Sequence, residues 1–296
     1  MDQAFQDIAS AELARARTPI MLNAIGINWA GPLILDMGSD EQKQKYVKNI
    51  ASAEDIWCQG FSEPDHGSDL GNAQTKATRD GDDFVLNGSK IWTTQGNYAK
   101  YMILLARTNP NAETKYKGLS FFLAPMKVPG VETVPIRKLT GEYGFTQTFF
   151  TDARISADCL IGKEGEGWLV AMRTLEYERG VRRGQAGGHV MMATDPETIL
   201  DLAKKATRNG RPALEDPVIK DKLVQLMIEA RSLQLCSSRS RIAPLVQESP
   251  ASLPLSSKLM STEFFRRLNE FALSLQGPRA AYYVGDEEAH DGGIWQ

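Results

Sequence analysis

The hydrophobic pattern of this chain changes period twice, and that change limits the architectures open to it more than any single residue does. From about residue 56 to 156, apolar residues come in short runs broken by turn signals; on either side they recur every three or four positions. Candidate strands are 56–62, 73–79, 84–86, 89–92, 101–108, 119–125, 131–136 and 146–155, a density that predicts a barrel or sandwich. Asn87-Gly88 predicts a hairpin turn, because both central residues of a type I′ turn need positive φ. Towards the C-terminus, Ile219, Leu223, Leu226, Ala230 and Leu233 form one helical stripe, and Phe264, Leu268, Phe271 and Leu275 form another. The Pro- and Ser-rich stretch 243–254 between them reads as a loop joining antiparallel helices of a bundle. The first 55 residues read as helical, with Gly31-Pro32 as a break. Ser39 is the predicted N-cap of a helix whose first turn carries Asp40 and Glu41, where the dipole favours acids.

At 296 residues the chain has room for roughly two domains at about 150 residues each. Lys plus Arg number 34 against 37 Asp plus Glu, giving a net charge of −3 and a pI near 5.8, so nothing directs it to nucleic acid or an anionic membrane. Hydrophobic residues at 42% and charged residues at 24% exclude a collagen-like or wholly disordered chain. Cys58, Cys159 and Cys236 are scattered without CxxC spacing, as are His66, His189 and His290, which supports neither a disulfide scaffold nor a metal motif. The apolar run 102–106 is far shorter than the roughly 20 residues of a membrane span. The first ten residues lack the basic and apolar regions of a secretory signal, and a soluble, cytoplasmic protein is expected. There is no Rossmann GxGxxG and no Walker GxxxxGK.

Three clusters could carry chemistry. Phe61-Ser62-Glu63-Pro64-Asp65-His66-Gly67-Ser68-Asp69 follows a strand and offers backbone N–H groups, hydroxyls and a glycine to an anionic or strongly accepting ligand; its structural alternative is a polar turn. Lys90-Ile91-Trp92-Thr93-Thr94 sets an aromatic beside two hydroxyls, which suits a flat heteroaromatic ring or ordinary packing. On the helix through Leu175-Glu176-Tyr177-Glu178-Arg179-Gly180, the face of Glu178 includes Ala171, Thr174, Val181, Arg182 and Gln185. A carboxylate in a dry cleft would serve as a general base; the alternative is a solvated pair with Arg182.

These residues lie in segments that together resemble the acyl-CoA dehydrogenase flavoprotein family: 59–69, 79–94, 105–108, 117–123, 162–168 and 174–180, in the family's order. The resemblance implies an α+β multidomain fold, with N-terminal helices (1–55), a central antiparallel β-barrel (56–158) and an incomplete C-terminal helical bundle (159–296). It implies FAD between barrel and bundle, contacted by Gln59, Phe61, Ser62, Gly67, Ser68, Trp92, Thr93 and Thr94. It further implies an acyl-CoA substrate near Ser68, Tyr177 and Arg179, and no metal. The implied reaction is α,β-dehydrogenation to the trans-2-enoyl-CoA, with electron transfer flavoprotein or a similar acceptor reoxidising the flavin and a homodimer or homotetramer as the assembly. Glu178 is the expected base by position; some branches of the family place theirs on a Glu-Gly-Thr loop that would fall after residue 296. The chain reads as a fragment with a late start and without the last bundle helices, so a silent paralogue that binds a CoA thioester or a partner subunit is the competing reading. Two further departures are Asp65-His66, where the family usually has a small pair, and the segment around Arg208, which lacks the usual Arg, Phe and Gln pattern.

Overall fold

The computed structural model describes residues 8–9, 12–13, 16, 18, 21–139, 141–179, 196–208, 210–239, 252–283 and 285–289. The chain forms two compact units, Pro19–Glu178 and Met1–Thr18 with Arg179–Gln296, and it is a multidomain α+β protein.

The first unit opens with a π-helical turn, Gly26–Ala30, that runs directly into α1, Gly31–Met37. Gly31-Pro32 therefore does not break the helical path as expected. Pro32 falls in the first turn of α1, where a proline's fixed φ suits the helix and its missing N–H does least harm. Ser39 caps α2, Asp40–Ala51: its hydroxyl accepts from Gln42 N–H, and the Gln42 side chain accepts from Ser39 N–H. This reciprocal box satisfies two donors that the helix cannot.

Seven strands form one sheet: β1 (Trp57–Gly60), β2 (Lys76–Asp80), β3 (Asp83–Thr94), β4 (Tyr101–Arg107), β5 (Leu119–Pro125), β6 (Val131–Arg137) and β7 (Tyr143–Ser156). Their order is β1-β4-β2-β3-β7-β6, with β5 also paired to β4. The β2–β3, β3–β7, β6–β7 and β4–β5 ladders are antiparallel, but β1 and β2 run parallel to β4. The expected antiparallel barrel is thus a mixed sheet, and no ladder among the described residues joins β5 to β6. β4 and β5 are buried on both faces. Ile103, Leu105, Leu119, Phe121 and Leu123 join a core with Leu33, Ile34, Trp57, Phe61 and Val170. Met102, Leu104, Ala106, Phe122 and Ala124 join a second core with Phe84, Leu86, Phe150 and Ile155. Burial on both faces explains why these two strands read as unbroken apolar runs.

The hairpin expected at Asn87-Gly88 lies elsewhere. Residues 83–94 are one strand, and the turn is Gly81-Asp82, with Gly81 at φ +63° and Asp80 opposite Asp83. Asn87-Gly88 instead forms a bulge at a register shift against β7. Gly88 adopts φ +140°, while the Asn87 amide donates to Asp152 Oδ1 and accepts from Asp152 N–H. Turning at Gly81 pairs β2 with the start of β3 and puts Ala77, Phe84 and Leu86 in one core, so burial chose between two glycine signals of similar strength.

In the second unit, α4 (Pro196–Lys205), α5 (Pro217–Arg239) and α6 (Ser252–Gln276) surround one core. Both sequence stripes lie in it, Ile219, Leu223, Leu226 and Ala230 beside Phe264, Leu268, Phe271 and Leu275, with Leu233 at its edge. A two-residue pair, β8 (Thr207–Arg208) and β9 (Arg211–Pro212), links α4 towards α5. The loop read over 243–254 is shorter than expected, since α6 begins at Ser252 and takes Pro254 into its first turn, where no intrahelical N–H is needed. Residues 240–251 lie outside the described residues, as do Val181, Arg182, Gln185, His189 and His290. Among the described residues no helix is long and apolar enough to cross a membrane, and no His, Cys, Asp or Glu group is placed to hold a metal ion.

Candidate flavin site

A buried ion pair ties the loop after β1 to the middle of β3. Lys90 Nζ donates to Glu63 Oε1 at 2.8 Å and to Phe61 O at 3.0 Å, and Ile91 N–H donates to Ser62 O at 2.9 Å. Glu63 also accepts from Gln74 N–H at 2.6 Å and Thr75 N–H at 2.8 Å. Burial alone would raise the Glu63 carboxyl, but the Lys90 charge and these hydrogen bonds outweigh it and hold the group below the usual carboxylate range. The fully buried Lys90 ammonium is lowered from its ordinary value by burial, against the opposing pull of Glu63. The Glu-Pro loop is therefore a clamped wall, with Phe61 and Ser62 fixed against Ile91.

The next turn of β3 aims an aromatic ring outward. Lys90 pairs with Thr148 and Thr93 with Thr146, so the β3–β7 register gains one residue between them. At this bulge Trp92 takes φ +59°, a left-handed conformation that costs a non-glycine residue roughly 1–2 kcal/mol. Its indole is 58% exposed and meets Phe145 edge-on, with centroids 6.0 Å apart. Strain of this kind concentrates at ligand sites, where the surroundings enforce it.

The third wall is α3, Gly167–Glu178. It starts against β5, since a Cβ on Gly167 would lie 2.5 Å from the Ser120 backbone. Val170, Ala171 and Thr174 are buried, and Glu178, one turn beyond Thr174, continues that face as a half-buried side chain. Gln59 on β1 donates its Nε2 to Glu178 Oε2 at 3.5 Å.

These walls, with Ile25 and Trp29, border a half-open pocket of about 190 Å³ lined by Ile25, Trp29, Gln59, Phe61, Ser62, Ile91, Trp92, Thr94 and Glu178. Six residues expected from sequence thus meet: Gln59, Phe61, Ser62, Trp92, Thr94 and Glu178. Thr93 is fully buried, outside this lining. Gly67 and Ser68 are exposed on the loop beyond the lining, as is Asp65. Tyr177 is half-buried against the helix-side core of the first unit, and Arg179 is exposed at the start of the second. Ile25, Trp29 and Ile91 were not expected; Ile91 follows from its place between Lys90 and Trp92, whereas nothing local marks the other two. The donor set fits the ring end of a flavin. It offers aromatic faces on Trp92, Trp29 and Phe61 and hydroxyls on Ser62 and Thr94, while Gln59 Oε1 is buried without a hydrogen-bond partner among the described residues.

An aromatic slot with hydroxyl and amide edges and a carboxylate on its rim can hold a planar ring beside a group that the carboxylate could deprotonate. Comparison with known proteins gives the family of the chain. Residues 1–54 match the acyl-CoA dehydrogenase N-terminal domain, 58–153 the middle domain and 165–291 the C-terminal domain. Acyl-CoA dehydrogenase IpdE1 of Mycobacterium tuberculosis is 35% identical over 266 residues, covering 90% of this chain and 66% of the relative. IpdE1 of Mycolicibacterium smegmatis is 36% identical over 276 residues, covering 90% and 67%. The crystal structure of the ChsE4-ChsE5 complex from Mycobacterium tuberculosis superposes with a TM-score of 0.80 at 26% identity, covering 99% of this chain and 74% of that one. The chain belongs to the acyl-CoA dehydrogenase family, whose members are FAD-dependent oxidoreductases, and it spans about two thirds of the length of these two relatives.

Proposed function

We propose that this chain catalyses α,β-dehydrogenation of an acyl-CoA thioester to the trans-2-enoyl-CoA, with Glu178 as the base. The observation that carries the reading is the convergence of Glu178 with Gln59, Phe61, Ser62, Trp92 and Thr94 on one cavity. FAD, when bound, supplies the acceptor for the two electrons and hydrogen that leave the β-carbon. Phe61, Trp29 and Trp92 would border and orient a flat ring, and Ser62, Thr94 and Gln59 would supply hydrogen bonds to its edge. Glu178 Oε2 is engaged by Gln59, which leaves Oε1 to take the α-proton; the C–H pair left behind becomes the new double bond as hydride departs from the β-carbon. A positioned base of this kind contributes about 10²–10⁴ in rate.

Gly67 and Ser68, on the exposed part of the loop, would reach the outer portions of the cofactor or the thioester, and a Cβ on Gly67 would meet nothing within 4 Å, leaving the backbone open to close approach. Thr93 serves by fixing the strand on either side of which Trp92 and Thr94 face the ring. Tyr177 and Arg179 flank Glu178 in sequence and are assigned to the acyl-CoA side. Electron transfer flavoprotein or a similar acceptor would reoxidise the flavin, and a homodimer or homotetramer in the cytoplasm is the proposed setting.

The test is optical. Purified protein should carry an FAD band that bleaches on anaerobic addition of acyl-CoA. Glu178→Gln should keep the band and bleach about 10²–10⁴-fold more slowly. A colourless wild-type protein, or a variant that bleaches like the wild type, would contradict the assignment.

A further inference from the structure

We infer that Gln59 is a positioning residue for the base: its side-chain amide holds the Glu178 carboxylate and can follow it through both protonation states. The inference rests on the reading of Glu178 given above and adds to Gln59 a task separate from contacting the cofactor.

Gln59 lies on β1 in register with Ile103, in a strand buried on either side of it at Cys58 and Gly60, so its backbone is fixed. Gly60 itself is pressed against Met102, since a Cβ there would lie 2.2 Å from the Met102 Sδ. Glu178 is the last described helical residue of α3, and a neutral donor that meets its carboxylate favours the ionised form without adding a charge. The Gln59 Nε2–Glu178 Oε2 distance of 3.5 Å is at the long limit for a hydrogen bond, and contacts in catalytic sites commonly tighten once ligands are present. The other end of the same amide, Oε1, is buried without a partner among the described residues.

Glutamine is suited to a group that changes from acceptor to donor. With Glu178 ionised, Nε2–H donates to the carboxylate. Once Glu178 has taken the α-proton on its Oε1, it carries an O–H that needs an acceptor; rotation of the carboxyl group about Cγ–Cδ turns that O–H towards Gln59, and a half-turn of the terminal amide brings the Gln59 Oε1 to it. No atom transfer is required; the proton stays on Glu178, and only the two end groups rotate. The unmet oxygen in the resting arrangement is the acceptor that the protonated arrangement uses.

Two variants and two readouts test this. In the ligand-free protein, the infrared carboxylate band assigned to Glu178 by its loss in Glu178→Gln should move in Gln59→Leu, whether or not the chain turns over acyl-CoA. In protein saturated with FAD, Gln59→Leu should slow single-turnover bleaching by roughly tenfold, the loss expected for a hydrogen bond to a charged group. The acid limb of the bleaching rate should move to higher pH, because removing the donor disfavours the carboxylate. Gln59→Glu, nearly isosteric, sets a second carboxylate beside the first and should move that limb further the same way. A Glu178 band that stays in place in Gln59→Leu, or an unmoved acid limb in both variants, would overturn the inference. Absence of bleaching in the wild type with a moved infrared band would instead refute the assigned reaction and leave the Gln59–Glu178 contact standing.

Discussion

Replacing Lys90 with methionine isolates the interaction that fixes two walls of the site. The fully buried ammonium faces Glu63 and Phe61 O, and methionine keeps most of the packed stem while removing the charge. Glu63 is then left buried with its two backbone donors and only the more distant Arg107 as a counter-charge. Breaking a buried pair from one side costs about 3–5 kcal/mol, which for a unit of this size corresponds to roughly 6–20 °C in Tm at about 2–4 °C per kcal/mol. Removing the stranded charge as well, in Lys90→Met with Glu63→Gln, should recover part of that loss. The pH dependence has a defined sign. Glu63 is held below its unfolded value, so its contribution is complete above about pH 4.3 and disappears as pH falls through the lower folded value. The stability gap between wild type and Lys90→Met should therefore be full at neutral pH and narrow below about pH 4. Thermal and urea unfolding, followed by near-UV circular dichroism from pH 3 to 8, measures all of this. A loss under about 1 kcal/mol, or a double variant less stable than the single, would refute the reasoning.

Other outcomes follow from single contacts. Trp92→Gly relieves the left-handed strain while increasing chain entropy, so stability should change by no more than about 1 kcal/mol while FAD retention, measured by absorbance after gel filtration, falls at least about tenfold. Gly167→Ala forces a methyl group to within 2.5 Å of the Ser120 backbone; urea unfolding should show a loss of about 1–3 kcal/mol, and bleaching should slow because α3 carries Glu178. Burial pushes the Cys58 and Cys159 thiols above their ordinary range, whereas Cys236 is half-exposed. A thiol reagent at pH 8 should therefore modify Cys236 first, and rapid labelling of Cys58 in the folded protein would contradict its burial.

What the sequence disclosed depended on the range of the forces involved. The α5 and α6 stripes were legible because a helix buries residues at a fixed local spacing, and Ser39 because a cap acts within one turn. The turn at Gly81 was misplaced because Asp80-Gly81 and Asn87-Gly88 carry similar local signals, and only the burial of Phe84 and Leu86 separates them. The parallel pairing of β1 with β4 was hidden because it joins Gln59 to Ile103 across 44 residues (103 − 59). Most of the cavity was reached through the family resemblance rather than spacing, since residues on β1, β3 and α3 meet only in three dimensions. The Lys90–Glu63 pair was not legible, because nothing local shows that Lys90 points inward. Trp29 and Ile25 carried no signal, because their role depends on where an N-terminal helix packs.

The central claim is that a flavin ring lies along Trp92 and the Phe61-Ser62 wall while Glu178 faces the α-carbon of a bound thioester. A crystal structure of the chain with FAD and a non-reactive acyl-CoA analogue measures this directly. The account predicts the ring against Trp92, Ser62 and Thr94, with a Glu178 oxygen about 3–3.5 Å from the α-carbon. A ring bound away from Trp92, or a Glu178 carboxylate beyond reach of the α-carbon with another acid in its place, would contradict it.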